Sequence, residues 1–164
     1  MVHVHGIREV LSRGIVPIVP GFIGATGQGR LTTLGRGGSD YTAIALGVAL
    51  GADRVELYKA EVDGIYTADP QEVPEASRFE VLTHAEALHL ARAGSKVLQE
   101  KAAALAAAWA MPIYVRPAFA PGRGTAIGVG QRRPAVTHAT PTPFRLTGVC
   151  SSGDDGATRA SSLR

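Results

Sequence analysis

Apolar and polar positions alternate along the first 128 residues in short blocks, some at the two-residue period of a strand and others at the spacing of a helix. Ile15–Val19 is a β-branched run bounded by Gly14 and Pro20–Gly21, which predicts a buried strand followed by a loop. Tyr41–Leu50 is nearly all apolar and follows Ser39, placed as an N-cap, while Gly51 can close the helix in a left-handed turn. That helix is expected to be buried. Arg54–Tyr58 alternates like a strand, and Asp63–Gly64 with Asp69–Pro70 marks a looped excursion. Thr83 and Glu86 have the spacing of a capping box, predicting a helix from His84 to about Arg92 that stops near Gly94. Lys96–Trp109 puts Val97, Leu98, Leu105, Ala108 and Trp109 on one face, the pattern of a second amphipathic helix. Pro112–Arg116 and Thr125–Ile127 read as closing strands. Strands alternating with helices imply an α/β three-layer sandwich with a largely parallel sheet, whose ligand sites lie beyond the carboxyl ends of the strands.

After Gly128 the pattern dissolves into Pro, Thr, Ser, Gly and Arg. Residues 1–128 are therefore assigned to one partly represented domain. Residues 129–164 are assigned to a low-complexity tail expected to be disordered, because Pro134, Pro141, Pro143 and the Ser151–Gly156 cluster leave little to bury. With 45% hydrophobic residues in 164, the chain can bury a core. The formal net charge is only +3 and the basic residues are scattered, with Arg132–Arg133 the single doublet, so nucleic-acid binding is not expected. The lone Cys150 has no internal disulfide partner, no apolar run reaches the roughly 20 residues of a membrane span, and Met1–Val10 lacks a secretion core. The expected compartment is the cytoplasm, with no membrane partner.

The chemistry concentrates in Thr32–Thr42, which holds Gly35, Gly37 and Gly38 just ahead of a helix. Those glycines let backbone approach a ligand, and the helix start offers unpaired N–H groups and positive dipole to an anion. Arg36 adds a planar fork suited to a carboxylate, while Ser39 and Asp40 add a hydroxyl and a charge. A plain glycine turn with a Ser or Asp cap is the bland alternative. The dinucleotide fingerprint fails because Asp40 stands where its third glycine belongs, and a Walker loop fails because Arg30 and Leu31 follow Gly24–Gly29.

Thr32–Thr42 resembles the TTLGRGGSDYT signature of the aspartate kinases. It is preceded by Pro20–Gly24 and followed by Val62–Asp63–Gly64–Ile65–Tyr66–Thr67–Ala68–Asp69–Pro70 in that family's order. Gly94–Leu98 is similar to its GAKVL element and Gly122–Ile127 to the segment closing its catalytic domain, so the likeness covers about Ile7 to Gly128. The resemblance implies an amino-acid kinase-like fold, incomplete here, that moves the γ-phosphoryl group of ATP, with Mg2+, onto the side-chain carboxylate of L-aspartate. That reaction opens lysine, threonine and methionine biosynthesis. By the same likeness Asp40 is the catalytic residue that organises charge around the phosphoryl group. Thr33, Arg36, Gly37, Gly38 and Ser39 bind the amino acid, and Glu61, Tyr66 and Lys96 face the nucleotide; no protein metal ligand is implied.

Departures qualify that expectation. The family's Lys-Phe-Gly-Gly-Thr phosphate loop has no counterpart ahead of Ile15. Lys59–Ala60–Glu61 is one residue longer than the family's Thr-Asp or Lys-Asp, Gln71 replaces an arginine, and Gln99–Glu100 replaces His-Pro. No regulatory domain follows, so feedback by lysine or threonine is not expected. The isolated chain is expected to be impaired and to self-associate or need a complementary chain, since missing strands would bare sheet edge and face. A non-catalytic amino-acid-binding or assembly module is the alternative.

Among secondary candidates, Tyr66 suits stacking on a base or service as a packing lid. Lys96, read at a helix start, would need an anion to offset the dipole. His3 and His5 on one strand face lack a third ligand, His84 and His89 do not share a helix face, and Asp63 is expected to serve its own turn.

Overall fold

The computed structural model describes residues 2–130, so nearly all of the predicted tail, with Cys150, lies outside the described residues. Helix α1 (His5–Ser12) opens the chain, has no buried residue, and is moored where the Arg8 Nη2 donates to the Ala49 carbonyl at 2.8 Å. His3 and His5 therefore do not share a strand face; His5 begins a helix.

Ile15–Val19 forms no strand. Ile18 is 97% and Val16 85% exposed. A β-branched run becomes a buried strand only when neighbours pair its backbone and cover its faces, and no strand among the described residues does so. The loop expected beyond it instead contains a two-stranded antiparallel hairpin, β1 (Ile23–Ala25) and β2 (Leu31–Thr33), closed by the Thr26 N–H donating to the Arg30 carbonyl at 2.9 Å.

Helix α2 (Gly38–Leu50) begins after its N-cap Gly37, which sits at a left-handed φ of 73°, and ends at Gly51 with φ 74°. Ser39 lies inside the helix rather than at its cap. The Gly35–Gly37 bend reaches the helix two residues earlier than a Ser39 cap would, because a left-handed residue there costs glycine little. The Thr42 hydroxyl donates to the Gly38 carbonyl at 2.8 Å and accepts the Phe22 N–H at 3.2 Å, fixing the helix start against the chain entering β1. The helix expected to be buried is only partly so: no residue of Tyr41–Leu50 is exposed, but within that run only Ile44 and Gly47 are buried and the others are half-buried.

The main sheet joins β3 (Val55–Lys59), β4 (Val81–Leu82), β5 (Ile113–Pro117) and β6 (Thr125–Ile127) in the order β3-β5-β6-β4. β3 lies parallel to β5, with Val55 opposite Ile113 and Lys59 opposite Pro117; β4 is parallel to β6, and β5–β6 is antiparallel. This is the α/β class with a largely parallel sheet that the alternating pattern predicts. Val55, Leu57, Ile113, Val115 and Ile127 are buried on one face, as the two-residue period requires. The other face carries Glu56, Tyr114 and Arg116, with the guanidinium carbons of Arg54 and Arg116 at 5.7 and 5.3 Å from the Tyr114 ring centre.

Helix α3 (His84–Arg92) starts on the predicted capping box: the Glu86 N–H donates to Thr83 Oγ1 at 3.1 Å and the Thr83 N–H to Glu86 Oε2 at 2.7 Å. Helix α4 (Glu100–Ala108) is shorter than the predicted Lys96–Trp109. Its Ala102, Ala103, Leu105 and Ala106 are buried, and it packs against both α2 and α3. Between β3 and β4 the looped excursion is present, carrying an isolated bridge between Tyr66 and Arg78. The buried Thr125 hydroxyl accepts the Ile65 N–H at 2.8 Å and donates to the Phe79 carbonyl at 2.6 Å.

Candidate functional site

Parallel β3 delivers its last residue, Lys59, to the carboxyl end of the sheet, and the glycine bend delivers Asp40 to the first turn of α2. The two meet there. Lys59 Nζ lies 2.7 Å from Asp40 Oδ2 and 2.9 Å from Oδ1, with side chains 23% and 13% exposed. A charge-assisted pair at that depth is screened far less than a surface one, so each charge holds the other in place.

Lys59 also lines a cleft of about 760 Å³ bordered by Ala60–Val62, Tyr66–Glu72 and, across from them, Leu90 and Ala93–Val97. A smaller hollow of about 360 Å³ shares Ala60–Val62, Tyr66 and Pro70 and continues past Asp63 to Pro117 and Phe119. Both owe their walls to the excursion after β3. Tyr66 stands between them, and its hydroxyl donates to Asp63 Oδ1 at 2.8 Å. That hydrogen bond, more than burial, raises the Tyr66 pKa above its ordinary value. Asp63 lies 3.8 Å from Arg78 Nε as well, so it is committed to side chains rather than, as expected, to its own turn. The turn role falls to Asp69, whose Oδ1 accepts the Gln71 N–H at 3.0 Å.

Of the nucleotide-facing candidates, Glu61, Tyr66 and Lys96 all line the larger cleft. Lys96 is not at a helix start, because α4 begins only at Glu100, and so no dipole conflict exists for a ligand to resolve. Its side chain is 85% exposed and its Nζ lies 3.8 Å from Asp69 Oδ2. Of the amino-acid candidates, Gly37 and Gly38 form the bend, with Gly38 buried; a Cβ on Gly37 would collide with the Gln99 side chain, and one on Gly38 with Leu34 and Phe22. Thr33, Arg36 and Ser39 are exposed, and neither cleft includes them. Asp40 is joined to the cleft only through Lys59.

Lys59 is the residue that sequence reasoning treats merely as a departure from a family pattern. Its position at the carboxyl end of a strand in a parallel sheet is the signal that singles it out. Among the described residues no group of three or more His, Cys, Asp or Glu side chains could hold a metal ion. Asp63 and Asp69 beside the clefts are both engaged, Asp63 by the Tyr66 hydroxyl and Arg78 and Asp69 by the Gln71 N–H.

A sequence profile described as the amino acid kinase family matches residues 2–117. The chain belongs to the amino acid kinase family. Within it, the chain is 47% identical over 123 residues to an aspartokinase of Pseudomonas aeruginosa, covering 75% of this chain and 30% of that protein. It is 41% identical over 121 residues to an aspartokinase of Thermus thermophilus, covering 74% and 30%. Among solved structures, E. coli aspartokinase III in complex with aspartate and ADP superposes with a TM-score of 0.69 at 43% identity, over 74% of this chain and 27% of that one. Aspartate kinase from Synechocystis gives 0.64 at 42% identity, over 74% and 21%. A UMP kinase from Bacillus anthracis, 22% identical with a TM-score of 0.58, shares the fold alone. This amino acid kinase chain thus spans about 30% of the length of these curated relatives. No helix among the described residues is long and apolar enough to cross a membrane.

Proposed function

We infer that the chain is an aspartate kinase-like unit that takes part in phosphoryl transfer from ATP to the side-chain carboxylate of L-aspartate, the step opening lysine, threonine and methionine synthesis. The observation that carries this is the Asp40–Lys59 pair, which ties the amino-acid loop to the nucleotide cleft: Asp40 opens the helix after the glycine bend, and Lys59 lines the cleft. Phosphoryl transfer asks a protein chiefly to align two anions and offset their charge. In this reading Lys59 supplies positive charge between the two substrates, and Asp40 fixes its ammonium group. Tyr66, anchored by Asp63, gives the base a flat wall; Glu61 and Lys96 frame the cleft mouth; Thr33, Arg36, Gly37, Gly38 and Ser39 seat the aspartate. ATP arrives with its own Mg2+.

The chain by itself is proposed to be impaired, working with a second copy or a complementary chain that completes the phosphate side. ADP release from purified protein with L-aspartate and Mg-ATP is the test. Slow or absent turnover is expected, and robust turnover by the isolated chain would overturn the impairment. Any residual activity should drop at least tenfold in Lys59→Met, whereas unchanged activity would remove the pair from the mechanism.

A second reading, a non-catalytic amino-acid-binding or assembly module, is favoured by one observation: Arg36 is exposed, outside both clefts. Calorimetry with L-aspartate alone separates the two. Binding that disappears in Arg36→Ala without any ADP release supports the module, and no heat at millimolar aspartate removes it.

A further inference from the structure

Ile15–Val19 is β-branched at every position except Pro17, yet it has no strand partner among the described residues. The Ile15 N–H donates to the Val10 carbonyl at 3.3 Å, and from Val16 to Val19 the main chain makes no hydrogen bond within the described residues. Its course is fixed nonetheless. Arg8 on α1 holds the Ala49 carbonyl near the end of α2, and Gly21 packs so tightly on Ser39 near its start that a Cβ there would lie 3.3 Å from the Ser39 Cα. Those two points are about 15 Å apart along the helix, a span that Ile15–Val19 covers when nearly extended. No residue of the run has a positive φ. A strand-like chain with free donors and acceptors is thus displayed beside α2, with Val16 85% and Ile18 97% exposed on one side of it.

The order Ile-Val-Pro-Ile-Val reads Val-Ile-Pro-Val-Ile backwards, so the run is β-branched in either direction about Pro17. We propose that it pairs antiparallel with the same run of a second copy, about a two-fold axis at Pro17. Antiparallel strands alternate between sites that exchange both N–H···O=C bonds and sites that exchange none. With Pro17 opposite Pro17 at a site of the second kind, the missing proline N–H costs nothing, Val16 faces Ile18 at sites of the first kind, and Ile15 faces Val19. The free amides of Val16 and Ile18 then find carbonyls, and β-branched side chains meet across the ribbon. No like charges meet, because this register sets Arg13 against Gly21.

Other mates fit worse. Insertion between two strands would leave Pro17 without a ladder bond on one side. The open edge of β3 is bordered by Arg54 and Glu56, charges of the kind that blunt an edge. The paired surface is small, so the association is weak and concentration-dependent. The ribbon rests on the proposed work with a second copy, gives that copy its docking surface, and needs no turnover to be tested.

The test is the full chain carrying Cys150→Ser and Pro17→Cys, treated with diamide at micromolar concentration. Residues opposite one another at a non-bonded site have Cα atoms about 4.5 Å apart, within disulfide reach. A disulfide-linked dimer is expected from Pro17→Cys alone, whereas Ile15→Cys should cross-link only when mixed with Val19→Cys. Cross-linking by Ile15→Cys alone would mean parallel pairing, and no cross-link in any combination would mean another surface; either overturns the ribbon. Ile18→Pro gives an independent reading, since it removes a ribbon donor from a residue whose main chain bonds nothing within its own copy. The dissociation constant from sedimentation should rise about tenfold or more while the melt of the dilute chain stays the same. An unchanged constant overturns the pairing as well. Loss of the ribbon leaves the aspartate kinase-like reading standing, because none of these measurements involves aspartate or ATP.

Discussion

His84 opens α3 with only 6% of its surface exposed, and its Nε2 has no hydrogen-bond partner among the described residues. The ring lies so close to Gly128 that a Cβ there would overlap it, and Gly128 sits at φ 70°, where glycine is the natural occupant. Burial therefore lowers the imidazole pKa below its usual 6.5. The sign of the consequence is fixed. As pH falls through about 6.5 the unfolded chain takes up a proton that the folded chain refuses, so stability is complete above that value and declines below it until the folded pKa is reached. Urea melts between pH 7.5 and 5 should show this decline, and His84→Phe should flatten it. An identical slope in the variant would place the acid sensitivity elsewhere. Nothing in the amino-acid pattern separates this buried histidine from exposed His89, because both fall in one amphipathic stretch. The tertiary contact with Gly128 makes the difference.

Helix starts show how local sequence chemistry is read well in one place and misread in another. Thr83 and Glu86 carry two reciprocal hydrogen bonds that depend on nothing outside four residues, and the spacing alone finds them. Ser39 has equally good cap chemistry, yet Gly37 takes the role and leaves the serine in the first turn of α2. Thr83→Ala should therefore cost about 1 kcal/mol, while Ser39→Ala should change thermal stability by less than about 0.5 kcal/mol, as for an exposed position without special contacts. Equal losses in the two variants would contradict the assigned caps. The short hairpin β1–β2 and two-residue β4 escaped the periodicity because so few residues hold too little pattern. Val55–Lys59 and Ile113–Pro117 were legible because buried and half-buried residues alternate along them.

At the level of the molecule, the misplaced Ile15–Val19 is the informative failure. Its composition is that of an interior strand, but its side chains are among the most exposed apolar groups described, alongside Leu31 at 81% and Phe119 at 90%. A sequence pattern reports which surface is meant to be covered, not whether a partner is there to cover it. The same logic accounts for the candidate site. Asp40 and the cleft residues come together because sheet and helices of this chain place them, whereas Thr33, Arg36 and Ser39 remain on open surface. Sedimentation at micromolar concentration is expected to show reversible self-association, weakened by Val16→Lys with Ile18→Lys. A concentration-independent monomer that melts cooperatively would count against it.

The hydroxyl of Thr125 ties the two ends of a long detour in the chain, at Ile65 and Phe79, to one point on β6. Such a knot gives the detour a drawstring: loosen it, and both hollows should slacken together rather than one by one. Deuterium uptake at the Ile65 amide should accordingly speed up in Thr125→Val, in step with amides throughout 65–79, while the capped end of α3 keeps its protection. A faster exchange confined to Ile65 would mean that the detour is stitched down at several independent places.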